Sequence, residues 1–166
     1  MNSVFSAVLV LALASCAFAL QFKDCGSTFG TVKAVRVTGC DTSPICNLPK
    51  NSNVTFSVDF VAKEAVTKGK SVVHGVIAGI PVPFPLADPD ACDGSAQIKC
   101  PLKPNTSYTY TNVIAVKSVY PKVKLVVKWE FTEQTGKDVF CVELPAQITD
   151  GKTTNDAAAE NRLFLV

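Results

Sequence analysis

The sequence predicts an all-β domain, an antiparallel β-sandwich, on three observations. Between residues 31 and 148, short runs alternate apolar and polar side chains, the period of strands with one buried face. Turn-forming residues punctuate these runs, the pattern of sheets packed face to face. No stretch before residue 150 carries a helical period.

The first segment is set aside before the strands are placed. Val4 to Leu13 is apolar and is followed by Ala17-Phe18-Ala19, a small-x-small cleavage pattern, so residues 1–19 read as a signal peptide cut after Ala19. No lysine or arginine precedes the run, a departure from the usual form. The run is too short to span a bilayer comfortably, and no later segment is long and apolar enough. The product is expected to be exported and soluble.

Thr31 to Gly39 alternates and is rich in β-branched residues, so it reads as a strand. Val54, Phe56, Val58, Phe60 and Ala62 form the buried face of a second. Lys68-Gly69-Lys70 reads as a turn, and Ser71 to Ile80 as a strand apolar on both faces. Ile80-Pro81-Val82-Pro83-Phe84-Pro85 follows. Its prolines lack backbone donors and hold their predecessors extended, so it reads as a stiff apolar lip that leaves the sheet. Ala87 to Pro104 reads as a loop and Thr106 to Val119 as a long strand. Val123, Leu125, Val127, Trp129 and Phe131 then face one way from a strand whose other face carries Lys122, Lys124, Val126, Lys128 and Glu130. Gln134-Thr135-Gly136-Lys137 turns into a last strand, Asp138 to Ile148. In the tail, Asp156 can cap a short helix over 157–162.

Seven cysteines less Cys16 of the signal leave six: Cys25, Cys40, Cys46, Cys92, Cys100 and Cys141. An even number in an exported domain reads as three disulfides, with about 15 pairings open. Cys40 and Cys46 bracket the turn chemistry of Asp41-Thr42-Ser43-Pro44, and Cys92 and Cys100 bracket Asp93-Gly94-Ser95. That leaves Cys25 with Cys141, a long bridge contributing on the order of 4 kcal/mol if chain entropy dominates.

Composition excludes several functions. A net charge of +2 over 166 residues is too balanced for a nucleic-acid binder. One histidine and no Cys-x-x-Cys pair argue against zinc. His74 lies in an apolar strand with no evident serine triad, and its expected role is structural. With the cysteines committed and no phosphate-cradling glycine loop, no enzyme and no cofactor is expected. The apolar lip, with Tyr120-Pro121 available beside it, instead suits a mostly apolar pocket at a sandwich margin.

Longer motifs carry a resemblance. They are Gln21-Phe22-Lys23-Asp24-Cys25-Gly26-Ser27, Val72-Val73-His74-Gly75, Ile80 to Pro85, Asp88-Pro89-Asp90, Cys100-Pro101, Tyr120 to Trp129, Phe140-Cys141 and Leu144-Pro145. In this order the chain resembles the ML (lipid-recognition) domain family, and within it the small soluble Niemann–Pick type C sterol carriers. The resemblance covers residues 20–148 and leaves 149–166 as a tail. It implies an immunoglobulin-like sandwich of two sheets, the same three disulfides, and a sterol held between the sheets with its apolar side chain inserted first. The matching ligand-binding positions are Val82, Phe84, Val116, Tyr120 and Trp129. Ala115 stands where close relatives carry proline.

The expected function is reversible binding and transfer of a sterol or similar lipid. The rival readings are a carrier of fatty acids or hydrophobic signalling molecules, and a protein presenting microbial lipid to a receptor. Expected partners are the lipid, anionic membranes reached through Lys117, Lys122, Lys124 and Lys128, and a membrane sterol transporter. A monomer is expected, secreted or in the lysosomal lumen. Asn53-Val54-Thr55 and Asn105-Thr106-Ser107 are glycosylation sequons. The tail either stays apart from the domain or covers apolar surface.

Overall fold

The computed structural model of the protein describes residues 20–40 and 43–151. The expected signal peptide and the expected helix at 157–162 lie outside them. The described residues form nine strands: β1 (Lys23–Asp24), β2 (Gly30–Val37), β3 (Cys46–Pro49), β4 (Ser52–Ala62), β5 (Gly69–Ile77), β6 (Ile80–Phe84), β7 (Thr106–Val116), β8 (Lys124–Glu133) and β9 (Asp138–Thr149). One sheet runs β1-β9-β8-β5-β6, with β3 also beside β9; the other is β2-β4-β7. Pairing is antiparallel except between β3 and β9. The sandwich is held by the disulfides Cys25–Cys141, Cys40–Cys46 and Cys92–Cys100.

The alternating patterns place the core as expected. Val54, Phe56, Val58, Phe60 and Ala62 are all buried on β4. They face Trp129 and Phe131 of β8 and Phe140, Val142, Leu144 and Ala146 of β9, also buried. Burial of each large side chain contributes about 1.5–3 kcal/mol.

Packing differs along the sandwich. At one end, Phe60, Tyr110, Phe131 and Phe140 pack ring against ring, with centroids 5.3 to 6.2 Å apart. Phe56 stacks on Trp129 at 4.3 Å and 6°. Toward the other end the same strands turn aliphatic: Val54, Ile114, Val116, Leu125, Val127 and Leu144. The Tyr110 hydroxyl shares a 2.6 Å hydrogen bond with Ser71 Oγ and accepts one from Asn112 Nδ2 at 3.0 Å. Ser71 is on β5 and Tyr110 on β7, so this bond pins one sheet to the other.

Four expectations are corrected. The proline lip does not leave the sheet: Ile80–Phe84 is an edge strand paired with β5. Ala78 and Gly79 both have positive φ, at 50° and 83°, which makes the two-residue turn of a tight hairpin. In such a hairpin Ile77 and Ile80 form the hydrogen-bonded pair, and bonding alternates from there. Pro81 and Pro83 pair with Val76 and His74 at the intervening positions, where no ladder donor is needed. The strand predicted over Ser71 to Ile80 therefore ends at Ile77. Gly69 and Lys70 are not a turn but the first residues of β5, opposite Glu133 and Thr132. Gly69 is needed there because a Cβ would lie 2.1 Å from Phe131 Cε2. The strand predicted to Val119 ends at Val116, and a turn closes through Tyr120 N–H donating to the Lys117 carbonyl at 3.3 Å.

Candidate functional site

At the aliphatic end the two sheets enclose a cavity of about 70 Å³. It is bounded by Val73, His74 and Gly75 on β5, Phe84 on β6, Ile114 and Val116 on β7, Leu125 and Val127 on β8, and Tyr120, Leu48 and Ile148. A second space of about 40 Å³ lies deeper, against Phe56, Trp129 and Leu144. Leu48, Ile114, Val116 and Val127 line both. The two spaces are thus parts of one apolar passage divided by side chains.

Local rules explain the void. Aromatic rings fill the other end of the sandwich, whereas branched aliphatic side chains here are shorter. Gly75 faces inward beneath Val82 and Val127 and contributes no side chain. Each space is well below the roughly 300 Å³ of a small-molecule pocket. A guest that needs such a volume would fit only if the aliphatic ends of the sheets parted. The Tyr110–Ser71 bond and the packed rings hold the opposite ends together.

Of the positions carried over by resemblance, Phe84, Val116 and Tyr120 line the outer space, and Trp129 lines the inner one. Val116 and Trp129 are 5% and 0% exposed, Phe84 and Tyr120 half-buried. The Phe84 and Tyr120 rings meet edge to face at 6.0 Å. Val82 stands apart. It is 47% exposed on the rim, two residues from Phe84 along the same face of β6, and lines neither space. Ala115 pairs with Asn53 on the outward-facing register of β7, away from the cavity.

Gly75, Leu48 and Ile148 were not read from the sequence as site residues. Leu48 sits opposite Ile148 in the parallel β3–β9 pair, a juxtaposition of distant segments. Leu125, Val127 and Ile114 carried a signal, since they share the inward parity of Trp129 and Val116.

The lysines separate into two groups. Lys117 and Lys124 are exposed near the mouth. Lys122 donates to Asp150 Oδ2 at 2.8 Å, and that hydrogen bond raises its pKa. Lys128 lies on the outer face of β8 and pairs with Glu130 at 2.7 Å. His74 also faces outward, with Nδ1 3.6 Å from Glu130 Oε2 and no hydrogen bond. Asn53 and Asn105 are exposed. A larger hollow of about 790 Å³ lies at the aromatic end, among Lys68, Lys70, Asp90, Asp93 and Glu133. Such charged walls suit water rather than an apolar guest.

Comparison with known proteins places this geometry. The ML domain family model matches residues 19–148. The chain is 48% identical over 145 residues to NPC intracellular cholesterol transporter 2 homolog a of Drosophila melanogaster, covering 87% of this chain and 97% of that one. It is 40% identical to NPC intracellular cholesterol transporter 2 of Bos taurus, over 86% and 95% of the two chains. The crystal structure of a Niemann-Pick type C2 protein from Japanese carpenter ant superposes with a TM-score of 0.75 at 31% identity, over 78% of this chain and all of that one. Two inward-facing sheets, three disulfides and an apolar passage between them thus coincide with a match over most of the sequence, and the chain belongs to the ML domain family.

Proposed function

We propose that this protein binds a sterol or similar amphiphile reversibly in the apolar passage and transfers it between membranes. The observation that carries the reading is the passage itself, walled by apolar and aromatic side chains with His74 as its one basic neighbour, beside Phe84 and Tyr120. The names of the Drosophila and bovine relatives, both cholesterol transporters, support it. Binding rests on apolar burial at roughly 25 cal/mol per Å². A small polar head left at the mouth escapes a desolvation cost of a few kcal/mol. No bond is made or broken.

Phe84, Val116, Tyr120 and Trp129 serve as the wall and Val82 as the rim in this reading. Lys117, Lys122 and Lys124 draw the mouth toward anionic membranes, each adding about 1 kcal/mol near such a surface. Delivery of the lipid to a membrane sterol transporter, by a monomer, is part of this proposal. We also assign residues 1–19 as the export signal, 20–148 as the binding domain, and Asn53 and Asn105 as glycan acceptors, consistent with a secreted or lysosomal protein.

The test is exchange of a fluorescent sterol between liposomes, with native mass spectrometry of the bound lipid. Val116→Phe is expected to fill the passage and lower affinity by at least about tenfold, at a packing cost of about 1–3 kcal/mol that leaves the fold intact. Normal exchange by a folded Val116→Phe variant would place the lipid elsewhere.

A further inference from the structure

Ile80, Val82 and Val119, exposed apolar side chains among the described residues, lie around the mouth. Val113, 56% exposed, does not: it lies on the outer face of the β2-β4-β7 sheet, opposite in parity to Ile114 and Val116. Thr55 is its partner across the ladder, and Asn53 pairs with Ala115 two residues away. Thr38 N–H donates to the Thr55 carbonyl at 2.9 Å, so the backbone groups of Thr55 face β2. Thr111 N–H donates to the Ala96 carbonyl at 2.9 Å, so the odd-numbered residues of β7 turn theirs away from β4. Thr55–Val113 and Asn53–Ala115 are therefore non-hydrogen-bonded pairs, with Cα atoms roughly 4.5 Å apart and side chains close together.

The sequon Asn53-Val54-Thr55 thus presents its acceptor on the same face as Val113, a diagonal neighbour at roughly 7–8 Å. On the other side of Thr55, a hollow of about 310 Å³ opens over Thr38, Gly39 and Ser57. Its chemistry is neutral. The cation on its wall, Arg36, is bonded to Asp59 at 2.8 Å, and Ser57 shares a 3.1 Å hydrogen bond with Thr111. The Asn53 and Thr55 side chains bond no other described residue. β7 is also the edge of its sheet, and no described residue bonds the outward backbone groups of Val113 and Ala115. An exposed apolar edge invites pairing with another chain.

We propose that a glycan on Asn53 folds back along this face, its first sugar seated over Thr55 between Val113 and the hollow. A pyranose ring has an apolar C–H face and a rim of hydroxyls, which match a valine beside a hydroxyl-lined hollow. The N-acetyl methyl of that first sugar rests on Val113, and the ring hydroxyls turn to Thr55 and Thr38. Attachment at Asn53 makes the contact intramolecular, so a small area suffices. On the facing sheet Pro81 and Pro83 deny donors to a pairing strand at the β6 edge; here the sugar covers the open part of β7. The seat rests on Asn53 being a glycan acceptor, and not on the sterol passage.

The experiment uses the full chain secreted from insect cells with labelled valine methyl groups, Asn53 occupancy being mapped by mass spectrometry. After enzymatic trimming to the first sugar, a nuclear Overhauser contact is expected between its N-acetyl methyl and Val113, assigned by its loss in Val113→Ala. Asn53→Gln should lower the melting temperature by at least about 2 °C. In a Val113→Ala background that loss should shrink by half or more. Ser107→Ala, which removes the Asn105 sequon, should show no such dependence on Val113. Occupied Asn53 without the methyl contact, or equal losses in both backgrounds, would overturn the seat. So would the same dependence for Ser107→Ala, or a Val113 contact to a second chain in place of the sugar. An unoccupied Asn53 would overturn the acceptor assignment and the seat together.

Discussion

Gly75 and Tyr110 show how single residues divide the sandwich into a packed end and a hollow one. Gly75 supplies space by having no side chain, and a Cβ there would already lie 3.0 Å from Leu125 Cδ1. Tyr110 does the reverse. Its ring fills the packed end, and its hydroxyl reaches across to Ser71. Burial pushes the phenol pKa up, so the group stays neutral and available to bond. Tyr110→Phe keeps the ring but leaves Ser71 Oγ buried without this partner. Unfolding free energy in urea should fall by about 1–3 kcal/mol. Ser71→Ala in the same chain should restore part of it, and strict additivity of the two losses would argue against the inter-sheet bond.

At the scale of elements, the β5–β6 hairpin decides whether the passage has an outer wall. Its turn requires positive φ at Ala78 and Gly79, and the space around Gly79 is open. Gly79→Val therefore meets no clash but adopts a backbone that a branched side chain resists, costing roughly 1–2 kcal/mol. Amide exchange across Ile80–Phe84 should accelerate more than exchange in β8. Uniform acceleration would show that β6 does not open separately. The alternating prolines were legible as extended, donor-poor chain. That they occupy the intervening positions of an edge ladder was not, because this depends on a turn two residues long and on the register it imposes.

For the whole molecule, charge linkage sets the response to pH. Asp138 lies where β9 begins, and burial, aided by the nearby Glu130 carboxylate, raises its pKa to about 6. The folded chain then holds a proton that the unfolded chain releases near the ordinary aspartate value of 3.8. Stability from this group is present in acid and is lost as pH rises through the interval up to about 6. The side chain keeps contact with water, so screening limits the effect to on the order of 1 kcal/mol. Asp138→Asn should raise the melting temperature at pH 7 and flatten its change between pH 5 and 7. Parallel profiles for both proteins would remove Asp138 from the account. Asp59 acts oppositely: its hydrogen bond with Arg36 lowers its pKa, so that contribution is lost only in stronger acid.

The sequence by itself determined the class of fold, most strand cores and the disulfide pairs. Those depend on local period, turn chemistry and the few partners each cysteine has. Val54, Phe56, Val58, Phe60 and Ala62 face inward because alternate residues of any strand share a face. The apolar character of Phe84, Val116 and Tyr120 was legible too, as was their match to a family pattern. Only the tertiary structure decided which of them meet. Leu48 joins the wall through a parallel pairing with Ile148, Gly75 leaves a gap because of what lies opposite it, and Val82 falls on the rim. Cavities are differences between packed volumes of distant segments, and no local pattern in one segment encodes what its partners fail to fill.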